Sequence, residues 1–85
     1  MPNRSFNVST EEFSRRGRTM IQHKLRVLLK CYTVYEFKMN EVDNTFIFKK
    51  SVRRNGIKRN DPKQLSGKFE LKKLNKETSI LKIWV

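Results

Sequence analysis

Residues 31–54 read Cys31-Tyr-Thr-Val-Tyr-Glu-Phe-Lys-Met-Asn40-Glu-Val-Asp-Asn-Thr45-Phe-Ile-Phe-Lys-Lys-Ser-Val-Arg-Arg54. The period here is two. Thr33, Tyr35, Phe37 and Met39 alternate with Tyr32, Val34, Glu36 and Lys38, which is the pattern of a strand with one face buried. Asn40 to Asn44 supply a turn. Thr45 to Arg54 resume the alternation, with Phe46, Phe48 and Val52 on one face. The chain is therefore expected to fold back on itself as an antiparallel hairpin.

Asn55-Gly56 follows at once. A type I′ turn needs positive φ at both central residues, and Asn-Gly is its strongest signal. Arg53-Arg54 precede the turn and Lys58-Arg59 follow it, so a second ribbon with cations flanking its tip is expected. Residues 49–63 hold Lys49, Lys50, Arg53, Arg54, Lys58, Arg59 and Lys63 against one acid, Asp61, a net +6 and half of the formal +12 of the chain. Asn60-Asp61-Pro62 and Ser66-Gly67 are loop and turn signals that close this segment. Lys68 to Leu74 read as a third strand, with Phe69 and Leu71 inward and Lys68, Glu70 and Lys72 outward. After a turn at 75–78, Ser79 to Val85 form a last strand that is apolar on both faces, as expected of a central or doubly covered position.

Upstream the period changes to that of a helix. Ser9 and Glu12 make the S-x-x-E capping box, and Val8 and Phe13 are placed for a hydrophobic staple. Glu11 and Glu12 lie where the helix dipole favours anions. Phe13, Met20, Ile21, Leu25 and Leu28 gather on one side up to Leu29 or Lys30, with Gly17 among them. Arg15, Arg16, His23, Arg26 and Lys30 gather opposite. Gly17 costs roughly 1 kcal/mol against Ala inside a helix, which points to a close crossing or a kink.

The expected fold is α+β: one long N-terminal helix on a roughly four-stranded antiparallel sheet, with a projecting basic ribbon or loop. Eighty-five residues allow a single small domain. Within it, residues 1–8 are a tail or short strand, 9–30 the helix, and 31–85 the sheet with its ribbon or loop at 49–63. Tyr35, Phe37, Phe46, Phe48 and Phe69 are expected in the core. Tyr32 and Trp84 fall out of phase with the inward residues and are expected to be exposed.

Composition narrows the function. A charge of +12 on 10.2 kDa repels itself, and a polyanion would relieve it. The hydrophobic fraction is 36%, so the core is small and a homo-oligomer or ligand would supplement it. Cys31 and His23 are the only residues of their types. One of each rules out an intrachain disulfide and a thiolate zinc site. His23 has no carboxylate three or four residues away on the helix, as general acid–base chemistry would want. No catalytic residue, metal or cofactor is expected. The N-terminus lacks the apolar run of a signal peptide and no stretch suits a membrane span, so an intracellular setting, cytoplasm or nucleus, is expected.

The expected function is non-enzymatic binding of nucleic acid, DNA or RNA, through phosphates. The expected contacts are Lys49, Lys50, Arg53, Arg54, Lys58 and Arg59 of the ribbon. Arg15, Arg16 and Arg26 of the helix support them, on a surface shared by the two elements. The alternative is an interaction or inhibitor protein docking on an acidic protein partner, with Ser79–Val85 as an exposed edge strand open to pairing.

Overall fold

The computed structural model describes residues 4–85. Residues 1–3, part of the expected tail, lie outside the described residues. The element order is β1 (Arg4–Ser9), α1 (Thr10–Leu29), β2 (Thr33–Asn40), β3 (Thr45–Arg54), β4 (Ile57–Asn60), β5 (Leu65–Lys73) and β6 (Thr78–Trp84). The α+β class and the long helix match expectation, but the sheet has six strands. The segment before the helix is a strand in its own right, pairing with β6 from Arg4↔Ile83 to Ser9↔Thr78. The return arm of the basic segment adds the other.

The helix begins as its sequence dictates. Ser9 accepts a hydrogen bond from the Glu12 backbone N–H at 3.2 Å, which satisfies one of the orphan donors of the first turn. Lys30 closes the helix in the left-handed region at φ 52°, its N–H turned back to the Arg26 and Val27 carbonyls. Arg16 departs from helical geometry at φ −135°, ψ 28°, which kinks the helix one residue before Gly17. A Cβ on Gly17 would sit 3.1 Å from the Phe13 ring. The missing side chain lets Phe13 fold under the helix toward Phe69, ring centroids 6.3 Å apart.

The strands run in the order β1-β6-β5-β3-β2, with β4 also on β3. One side of β3 is shared: Thr45–Phe48 pair with β5, and Ser51–Arg54 pair with β4. Residues 61–64 break the line between β4 and β5, where Pro62 has no N–H to donate. The strand β6 lies between β1 and β5. The expectation of a C-terminal edge strand is thereby overturned: both hydrogen-bonding sides of β6 are occupied. The sheet ends instead on β1 and β2.

The helix covers one face. Ile21 and Leu25 from α1 and Phe48, Leu81 and Ile83 from the sheet have no exposed surface, and Phe46 is 2% exposed. Each such side chain contributes about 1.5–3 kcal/mol by leaving water. In β2 the faces differ from strict alternation. Its register against β3 slips between Tyr35↔Lys49 and Lys38↔Ile47, and Glu36 takes φ 50°. One extra residue flips everything beyond it to the other face. Val34 and Phe37 therefore both point into the core, and Phe37 stacks on Phe46 at 5.6 Å. Tyr35, expected beside Phe37, is turned to the opposite face. Its hydroxyl donates to the Asp61 carbonyl at 3.1 Å.

Candidate nucleic-acid interface

The strand β3 builds the site by outrunning its neighbours. Pairing with β2 stops at Thr33↔Ser51, whereas β3 continues to Arg54 with only β4 beside it. Asn55 and Gly56 have φ of 54° and 77°, as a type I′ turn demands. Residues 53–60 are all exposed, so this part of the ribbon stands clear of the core, while Ser51 and Val52 at its base are buried or packed against it.

The base of the ribbon is pinned. The Ser51 hydroxyl, fully buried, bonds the Asn60 side chain, and the Asp61 N–H donates to the Lys50 carbonyl at 3.0 Å. Cross-strand pairs then assign its two faces. Arg53↔Lys58 follow the parity of Ser51 and Lys49 and lie on the face away from the helix. Arg54 and Arg59 follow Val52 and Lys50 and lie on the helix side.

Like charges directly opposite each other repel, and Arg53↔Lys58 is such a pair. The Tyr32 ring offsets the cost: the Arg53 guanidinium carbon lies 4.6 Å and the Lys58 ammonium 5.5 Å from its centroid. Tyr32 is 41% exposed. Among the described residues one ion pair forms, Lys49 with Glu36 at 3.3 Å. Lys50, Arg53, Arg54, Lys58 and Arg59 therefore have no acidic partner.

The helix cations divide. The Cys31 N–H donates to the Arg26 carbonyl at 3.2 Å and the Tyr32 N–H to the Ser51 carbonyl at 2.7 Å, which places Arg26 at the helix end nearest the ribbon. Burial pushes the Cys31 thiol up from its ordinary value, and the charges of Lys50 and Arg26 pull it part of the way back. Arg15 and Arg16 lie some ten residues earlier, or ~15 Å along the axis. They line a cleft of about 590 Å³ at the kink with Phe13, Met39, Glu41 and Phe69. This cleft abuts the β2–β3 turn, the opposite end of β3 from the ribbon tip. The surface expected to be shared by ribbon and helix is thus divided: Arg54, Arg59 and Arg26 lie on the helix side, Arg53 and Lys58 face away from α1, and Arg15 and Arg16 are remote. His23 lies among Gln22, Arg26, Thr33 and Val34, with Val27, Lys30 and Cys31 on its other side and no carboxylate.

One group escaped the sequence reading. Lys68 pairs with Trp84, Glu70 with Lys82 and Lys72 with Ile80, all on the face away from the helix. The Lys68 ammonium sits 5.1 Å from the Trp84 ring centroid. The outward alternation of Lys68 and Lys72 was visible, but its continuity with Arg53 and Lys58 depends on the register of three strands. No protein-family model matches the chain, and neither the curated proteins nor the solved structures gave a significant match.

Proposed function

We propose that this protein binds nucleic acid without catalysing a reaction, chiefly through phosphates. The observation that carries this is the ribbon: Arg53, Arg54, Lys58 and Arg59 are held on a paired two-stranded arm, exposed and, among the described residues, free of acidic partners. Lys49 and Lys50 extend the charge to its base, and Arg26 adds to the helix side. Each phosphate neutralised releases counterions, with a slope of log affinity on log salt of about −0.9 per contact for duplex DNA and −0.7 for single strands. Four ribbon contacts thus amount to a slope of about −3.6 on duplex DNA and about −2.8 on single strands.

The test is fluorescence-polarisation binding to single- and double-stranded DNA and RNA from about 50 to 300 mM salt. Wild type is compared with Arg53→Ala/Arg54→Ala. Steeply salt-dependent binding is expected, with the slope shallower by about one per lost contact. Absent or salt-independent binding refutes the proposal and redirects the search to an acidic protein partner.

A further inference from the structure

We infer that the bound nucleic acid is single-stranded and lies along the open face of the sheet, with its bases stacked on Trp84 and Tyr32. This rests on the nucleic-acid reading above and names its form and its track. No helix lies on the face opposite α1 among the described residues, and on it only Ser51 is fully buried, against Asn60. Cross-strand pairing places Lys49, Arg53, Lys58, Lys68, Lys72 and Lys82 on it, against the acids Glu36 and Glu70. One of those acids already holds Lys49.

Aromatic rings interleave with these cations on this face. Tyr32 stands between Arg53 and Lys58, and Trp84 stands against Lys68. The rings beside cations on the helix side belong to the core instead: Phe37, under Arg18, is buried, and Phe6, beside Arg4 and Lys24, packs against the core. Phosphate contact alone does not distinguish the two faces. Rings beside cations that are not packed into the core do, because they offer stacking, and only unpaired bases have π-faces free to take it.

The spacing suits a strand of definite length. Tyr32 lies beside Arg53, and Trp84 beside Lys68, which pairs with Thr45. From Thr45 to Arg53 the backbone of β3 covers ~27 Å, or about eight nucleotides for a strand that keeps the ~3.4 Å per-strand rise of duplex DNA. Single-strand affinity is therefore expected to rise with length to about eight nucleotides and then level off.

Trp84 is the only tryptophan, so its emission reports on the face directly. The full chain is titrated with oligothymidylates of increasing length, with their RNA counterparts and with a duplex, recording polarisation and tryptophan emission together. Single strands are expected to quench Trp84 saturably, with the same midpoint as the polarisation signal. Tyr32→Ala is expected to weaken single-strand binding about tenfold, while Tyr32→Phe retains it. Lys68→Gln is expected to weaken it also, with circular dichroism checking that each variant is folded. Polarisation binding without quenching, unaffected by Tyr32→Ala, would overturn the stacking track and leave the phosphate reading standing. Duplex binding as tight as single-strand binding would do the same. No binding to any nucleic acid would remove both.

Discussion

Gly67→Ala isolates the tightest approach in the sheet. A Cβ there would lie 2.3 Å from the Trp84 carbonyl oxygen and 2.7 Å from the Phe46 ring. Ordinary contact begins near 3.4 Å, so the carbonyl must retreat by about 1.1 Å and the ring by about 0.7 Å. Phe46 is 2% exposed and wedged between Phe37 and Phe48, with centroids at 5.6 and 5.8 Å. The carbonyl belongs to β6 at the rung where Trp84 meets Lys68. Relief therefore means both overpacking the core and opening that rung, and overpacking costs about 1–3 kcal/mol. The upper end applies, because the nearest atom is backbone. Against a total of about 4–13 kcal/mol for a chain of this size, a loss near 3 kcal/mol lowers Tm by about 12–24 °C. Thermal melts followed by Trp84 emission and far-UV circular dichroism measure it. The matched control is Gly56→Ala, where a Cβ meets nothing within 4 Å but φ is +77°. Its cost is conformational, about 1–2 kcal/mol, and confined to the ribbon tip. A Gly67→Ala protein that melts within experimental error of wild type would refute the packing argument.

Three other outcomes are expected. Ser9→Ala removes the bond to the Glu12 N–H and should cost about 1 kcal/mol in urea denaturation. Arg15→Ala/Arg16→Ala, at the far end of the molecule from the ribbon, should leave the salt slope of nucleic-acid binding unchanged, whereas Arg53→Ala/Arg54→Ala lowers it. Cys31 should alkylate more slowly in the native protein than in urea, since burial raises its pKa and keeps the thiol protonated. The linked stability is intact below the ordinary value of 9.0. It declines above that pH, as the unfolded chain loses its proton first; urea midpoints from pH 7 to 10 check the sign.

Local chemistry made the elements legible. Ser9 and Glu12 marked the helix start, and Asn55-Gly56 the ribbon tip, because caps and primed turns are decided by residues within a few positions. Pairing between distant segments was not legible. Nothing in Arg4–Ser9 announces Thr78–Trp84 as its partner, so the first strand was indistinct and the last was assigned a free edge in one reading. The bulge at Glu36 also escaped notice, since left-handed φ at a glutamate has no sequence signal, and it moved Tyr35 out of the core. The candidate site divided along the same line. Clustered ribbon cations are contiguous in sequence, whereas the Lys68–Trp84 group joins them only through strand register.

The place of β6 between β1 and β5 sets an order in time. The pairs that build β2 through β5 span short loops and can close early, whereas Arg4↔Ile83 joins residues at opposite ends of the described chain. Loops of that length close late. Until they do, β1 waits on the helix with an unpaired backbone, and the apolar run Ile80-Leu81 and Ile83-Trp84 is half sheltered. During that interval β6 of one molecule can be captured by β1 of another, so refolding at high concentration should yield strand-exchanged dimers that dilute refolding avoids.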